Sequence, residues 1–429
     1  MMKLKKTLCF VLILMFACPF VFAGCESNSE PDLTVKSKNT MDYFGTASTL
    51  VIYDDFEKAS NHTKLDKVWA EICALLGEID GQLSVSVETS DVARFNAAAV
   101  GEPVAVGTHT LNVVKVALTV NAEFADYDPT VYNLVDLWGF TPRFNANNYE
   151  PSEPYDRERL GKGFPLPDAK YIEGFASLVG LSSVVFDEQN STLTKTKSVE
   201  IDGAVYTQSM DFGGIAKGYA AELVLEILQR YGYRYGFFSC GTSSLVILER
   251  FGGTKGAGEE KAWALGVERP RFESENPVDR TFIDIFCKNV SVSTSGDYQH
   301  CYFLDGVRYS HIIDPETGMP VGVGGGYGIA AVTLLGDDAA ALDAMTTVLC
   351  LMSLDEILEL VNGGFDFYIV VTLWTEGKDY CEIVTNLPDG MYKVTDGRFV
   401  QKSRFANGKV VYFGDFVPAQ SQSEEGLFK

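Results

Sequence analysis

Basic residues are scarce in this sequence: 35 Lys and Arg stand against 58 Asp and Glu, a formal net charge of −23 over 429 residues. A surface so acidic repels polyanions, which excludes nucleic acid and anionic lipid as partners. Histidine is scarcer still, with four in the chain, so each is worth locating. No two cysteines form a CxxC pair. Cys73, Cys240, Cys287, Cys301, Cys350 and Cys381 are widely spaced, several in apolar stretches, so a disulfide-built scaffold is not indicated; buried thiols and disulfides both remain open. Internal repeats and coiled-coil heptads are lacking. What is there is the balance of a folded protein with a sizeable core, 46% hydrophobic and 22% charged.

The apolar run from Leu8 to Phe22 follows Lys3, Lys5 and Lys6 and closes on Ala23-Gly24-Cys25. It is short for a membrane span and reads as a secretory signal over 1–24. Small residues before Cys25 resemble a bacterial lipobox, with cleavage ahead of the cysteine and a lipid on its sulfur; ordinary cleavage beside an incidental cysteine is the alternative. Residues 25–40 are polar and acidic and read as a tether. The rest, 41–429, is expected to form one domain.

Periodicity along that domain alternates strands with helices. Strands are expected at Thr49–Tyr53, at Ser182–Phe186 and Thr192–Lys195 as a hairpin, and at Tyr235–Cys240, Ser244–Leu248, Trp263–Val267, Phe282–Phe286, Val290–Ser293, Phe367–Thr372 and Cys381–Val384. Helices are expected at Leu65–Leu83, His109–Phe124, Ile215–Arg230, Asp338–Leu351 and Leu354–Asn362. Thr141–Ala169 and Phe251–Glu260 read as loops. The class is α+β, with mixed, largely antiparallel sheets and packed helices.

Three stretches carry chemistry. In Met210 to Glu222, MDFGGIAKGYAAE, an apolar segment runs through Gly213 and Gly214 into a helix. Glycines allow close backbone approach, a helix N-terminus welcomes an anion, and Lys217 adds charge. Taken alone, the same stretch is also a plain strand-to-helix turn. Ser293 to Val321 holds Ser293-Thr294-Ser295-Gly296, which supplies backbone and hydroxyl donors suited to a phosphate or flavin edge. It also holds the turn Asp314-Pro315-Glu316-Thr317-Gly318, with His311 three residues ahead as a candidate general base; a structural turn with a capping histidine is the plainer reading. In ALDAMTTVLCL, Asp343 and Thr347 are four apart and share a helix face, with Thr346 beside them. A carboxylate on an apolar helix is costly unless paired or metal-bound, and carboxylate plus hydroxyl suits Mg²⁺.

Together with Asp128-Pro129-Thr130-Val131-Tyr132 and the residues following to Phe140, these blocks resemble, in order, those of the bacterial FAD:protein FMN transferases, the ApbE-like flavin-trafficking lipoproteins. The resemblance implies an ApbE-like fold in which FAD is bound between the blocks, Mg²⁺ bridges its pyrophosphate, and FMN passes to a threonine hydroxyl of an acceptor flavoprotein in trans, with AMP leaving. It implies metal contacts from Ala216 (carbonyl), Asp343 and Thr347, with Thr346 adjacent. Phe44, Asp126, Tyr127, Asp128, Gly213, Lys217, Tyr219, Ser295 and Ile313 become candidates for the FAD site, and His311 for the base. Phe44-Gly45-Thr46 stands where the family has Met-Gly-Thr, and Gly241-Thr242 where it has a glycine pair. It further implies a lipoprotein of the cell envelope, in the periplasm or on the outer side of the cytoplasmic membrane. Two other functions use the same residues: an FAD pyrophosphatase, with water in place of threonine, and a flavin-binding lipoprotein without turnover, which needs no base.

Overall fold

The computed structural model describes residues 33–141, 162–251, 262–271, 280–323, 327–375, 381–397, 399–404 and 411–414. The expected signal segment, Cys25 and most of both expected loops lie outside these residues. All the described residues belong to one compact unit, Leu33–Lys429.

The expected tether ends earlier than residue 40. Thr34–Thr40 is a strand, β1, paired antiparallel with β2 (Ser48–Asp54). Polar side chains suit this edge position because the ladder, not burial, holds it. Lys38 pairs with Asp66 at 2.7 Å, and Lys36 Nζ lies 3.0 Å from His62 Nδ1.

Helix α1 (Ala59–Leu83) begins before the expected span and buries Leu65, Val68, Ile72, Leu76, Ile79 and Leu83, the three-and-four spacing of one helix face. It is followed by α2 (Asp91–Ala97), β3 (Val104–Ala105), α3 (Thr108–Glu123) and α4 (Tyr132–Leu137). Next come α5 (Ala169–Leu178), the hairpins β4 (Val185–Asp187) with β5 (Thr192–Thr194) and β6 (Ser198–Ile201) with β7 (Ala204–Thr207), then α6 (Ala216–Arg230). Strands β8 (Gly236–Cys240), β9 (Ser244–Ile247), β10 (Trp263–Glu268), β11 (Thr281–Cys287), β12 (Val290–Gly296), β13 (Cys301–Leu304), β14 (Val307–Ser310) and β15 (Tyr327–Gly336) lead to α7 (Ala339–Leu351) and α8 (Leu354–Gly363). The last are β16 (Tyr368–Thr375), β17 (Cys381–Thr385), β18 (Tyr392–Val394), β19 (Val400–Arg404) and β20 (Val411–Gly414).

A ten-stranded antiparallel sheet in the order β1-β2-β8-β9-β12-β15-β16-β17-β20-β19 is the backbone of the fold. Its central strands are apolar on both faces because both are covered. Val246, Leu334, Val371 and Val384 enter a core shared with the helices. Their chain neighbours Ile247, Leu335, Val370 and Ile383 enter a second core beneath the small sheet β10-β11-β18. Each such side chain, fully buried, contributes about 1.5–3 kcal/mol before entropy is counted. A third core gathers Leu134, Trp138, Phe175, Tyr302 and Tyr309 from α4, α5 and the hairpin β13–β14.

Two helices position the site. Asp338 caps α7 by accepting from the Ala341 N–H at 2.8 Å, and α6 and α7 pack at Gly218, where a Cβ would stand 2.2 Å from the Ala339 carbonyl oxygen. Cys73, Cys240, Cys287, Cys301 and Cys350 are free thiols.

Candidate active site

One cavity of about 390 Å³ receives all three chemistry-bearing stretches. Phe44, Asp126, Tyr127, Asp128, Gly213, Lys217, Ser295, His311, Ile313, Asp343 and Thr347 line it. Helix spacing is why the last two meet there: four residues on α7 return to the same face.

Asp343 is 3% exposed, and among the described residues no cationic side chain pairs with it. Its carboxylate accepts from Ser244 Oγ, Ser293 Oγ and the Gly218 N–H at 3.1, 2.9 and 2.9 Å. The Gly218 N–H belongs to the first turn of α6, so the helix end that the sequence offers to an anion already holds a carboxylate. The glycine pair acts by size and not by a left-handed backbone. A Cβ on Gly214 would stand 3.2 Å from Thr347 Oγ1, and one on Gly213 would stand 3.2 Å from an Asp211 carboxylate oxygen.

His311 is half-buried and its Nδ1 lies 3.2 Å from the His300 carbonyl oxygen. Burial, and then the neighbouring His300 ring, push its pKa down to about 3, so the imidazole is neutral across the physiological range. The turn beyond it forms as expected. Asp314 accepts from Glu316 N at 2.8 Å and Thr317 Oγ1 at 2.9 Å, while Gly318 takes a positive φ of 69°. Asp314 is thereby engaged in holding the turn.

Four carboxyl groups line the cavity, those of Asp126, Asp128, Asp211 and Asp343. Burial raises the pKa of Asp126, Asp128 and Asp211, the first further raised by Asp314. Lys217 is the cationic side chain among the described lining residues, and its Nζ donates to the Gly213 carbonyl at 2.8 Å. Asp128 lines the cavity while its carboxylate holds the backbone behind it, accepting from Thr130 N, Thr130 Oγ1 and Leu181 N at 2.8, 2.5 and 2.7 Å.

Three sequence candidates do not line the cavity. Tyr219 lies two positions past Lys217, which turns it to the far side of α6; its hydroxyl meets His109 Nδ1 at 3.0 Å and Asn112 Nδ2 at 3.2 Å. Thr346 is fully buried, donates to the Asp343 carbonyl at 2.8 Å and meets Ser295 Oγ at 2.9 Å, so it braces α7 instead of facing the cavity. Ala216 is buried at the start of α6, leaving only its carbonyl to offer. The Ser293 to Gly296 segment is the end of strand β12 and presents Thr294, Ser295 and Gly296 to the cavity from the sheet.

Sequence reasoning missed Asp211, His300, Phe140 and Gln299, which also line the cavity. Asp211 sits inside the glycine stretch, and His300 is one of four histidines; both signals were available. Phe140 and Gln299 carry none.

Hard oxygen donors, a neutral histidine and a helix N-terminus around one cavity define a site for phosphoryl-group chemistry. The chain matches the ApbE family over residues 44–369, more than half its length, and belongs to that family. It is 31% identical over 286 residues, 66% of this chain and 72% of the relative, to a FAD:protein FMN transferase of Vibrio cholerae. It is 26% identical over 370 residues, 84% of this chain and 92% of the relative, to the Escherichia coli K12 protein of the same name. Among solved structures, the ApbE protein of Thermotoga maritima matches with a TM-score of 0.61 at 27% identity, covering 79% of this chain and 94% of that one. The flavin transferase ApbE of Vibrio cholerae matches in fold with a TM-score of 0.59, at 24% identity, covering 81% of this chain and 97% of that one.

Proposed function

We propose that this chain is a Mg²⁺-dependent FAD:protein FMN transferase, held in the cell envelope by a lipid on Cys25. The observation that carries the reading is that Asp343, Thr347 and His311, from α7 and from the stretch after β14, line the same cavity. FAD brings a charged pyrophosphate into a cavity already lined by four carboxyl groups, and one lysine does not balance that charge. The donor set fits magnesium: the buried Asp343 carboxylate and the Thr347 hydroxyl are hard oxygens on the cavity wall, and phosphate and water oxygens complete such a shell. The ion, when bound, neutralises charge on the pyrophosphate.

The reaction follows from the remaining groups. The acceptor threonine oxygen attacks the FMN-side phosphorus, its proton passes to the unprotonated nitrogen of His311, and the bond from that phosphorus to the bridging oxygen breaks, so that AMP leaves with that oxygen. Asp128 and the Thr130 hydroxyl hold the wall beside Tyr127, and Thr346 with Ser295 holds α7 in place. AMP release from FAD, followed by chromatography with and without acceptor flavoprotein, tests the reading. AMP formed in step with acceptor supports transfer; AMP and free FMN formed equally fast without it make the protein a pyrophosphatase, and unchanged FAD makes it a binding protein.

A further inference from the structure

The carboxylate of Asp343 is held in an unusually defined way. Ser244 and Ser293 are direct partners in the antiparallel register of β9 and β12, so both hydroxyls leave the sheet on one face, side by side, toward α7. Both serines are 1% exposed. Both donate to the same atom, Oδ1, at 3.1 and 2.9 Å, whereas Oδ2 accepts the Gly218 N–H alone, at 2.9 Å. A carboxylate oxygen offers about two lone-pair directions. Oδ1 is therefore filled, and one position remains, on Oδ2.

We propose that Ser244 and Ser293 are positioning residues that confine the cation to one oxygen of Asp343 and thereby select Mg²⁺ over Ca²⁺. The inference rests on the metal-dependent reading above. Mg²⁺ is small and holds to a strict octahedral shell, which one carboxylate oxygen serves well. Ca²⁺ is larger and commonly takes both oxygens of one carboxylate within a shell of six to eight ligands. With Oδ1 closed by two hydroxyl protons, that second contact is denied. Rotation of the carboxylate to offer it is opposed by the Gly218 N–H, which holds Oδ2.

Calorimetric titration of MgCl₂ and CaCl₂ into the full chain with ADP, which supplies a pyrophosphate and no flavin to transfer, tests the proposal. Complexation of the ions by ADP in solution enters the ratio of the two affinities as the same factor for every variant, so it cancels when the ratios of variant and wild type are compared. The wild type should prefer Mg²⁺. Ser244→Ala and Ser293→Ala should each move the ratio toward Ca²⁺, and the double variant should move it by roughly 10–100-fold, the scale on which groups orienting a metal ligand act. If the double variant does not fold, the single variants decide, since each opens one position on Oδ1. Folded variants with lowered stability but the wild-type ratio would show that the hydroxyls merely satisfy a buried carboxylate, and would overturn the proposal. A wild type that binds ADP but neither ion removes the metal-dependent reading itself, a separate failure.

Discussion

His311 and His300 are joined through a single oxygen: the His300 carbonyl accepts from the His311 backbone N–H at 3.0 Å and lies 3.2 Å from its ring Nδ1. A carbonyl oxygen only accepts, so Nδ1 carries the proton and Nε2 keeps its lone pair. Backbone geometry thus fixes the tautomer that a base needs. His311→Asn should lower turnover by about 10²-fold or more, the usual worth of a positioned base, while FAD affinity persists. Single-turnover rates and equilibrium flavin binding measure the two separately. A joint collapse would make His311 a binding residue.

The same enclosure makes a pH prediction. His311 is held at about 3 in the fold against 6.5 ordinarily. A proton is therefore taken up first by the unfolded chain, and stability present above about pH 6.5 is lost as the pH falls toward the folded value. Urea denaturation of wild type and His311→Asn at neutral and mildly acidic pH should show the larger acid loss in the wild type. Equal losses would mean that His311 titrates normally.

Gly218→Ala should be disproportionately harmful for a single methyl group. Its Cβ would stand 2.2 Å from the Ala339 carbonyl oxygen and 2.7 Å from Asp343 Cβ. Backbone must move, at a cost of about 1–3 kcal/mol for overpacking, and the Gly218 N–H leaves Asp343 as it moves. Denaturant midpoints should fall and transfer should be lost together. Wild-type stability would contradict the close crossing of α6 and α7.

Cys25→Ser should release the protein from the membrane fraction, because the reading of Ala23-Gly24-Cys25 makes the cysteine sulfur the lipid attachment point. Unchanged fractionation removes the lipid anchor and leaves the catalytic reading standing.

Much of the site was legible because its parts are local. Asp343 and Thr347 are one helical turn apart, and Asp314 to Gly318 make a turn by their own side chains, so spacing alone predicts both. Helix boundaries at α6 and α7 differ from expectation by one residue each. Strand β15, which joins the two halves of the large sheet, went unread: it starts amid glycines, and its IAAVTLL run, covered on both faces, has no alternation to betray it. Strand β1 looked like a tether because its polar side chains are those of a solvated edge. Tyr219 and Thr346, which do not line the cavity, are a different case. A motif places residues near a site, but which of them face it depends on helix phase and on partners such as His109 and Ser295, which lie far off in sequence.

The most direct test is the intact mass of an acceptor flavoprotein after incubation with FAD, Mg²⁺ and either the wild-type chain or Asp343→Ala, with circular dichroism confirming that the variant is folded. The wild type should add one FMN phosphoryl group, located on a threonine by fragmentation, with one AMP released per adduct, and the variant or an excess of chelator should leave the acceptor unmodified. An adduct formed equally well by Asp343→Ala, or an acceptor left unmodified by the wild type while FAD is consumed, would contradict the account.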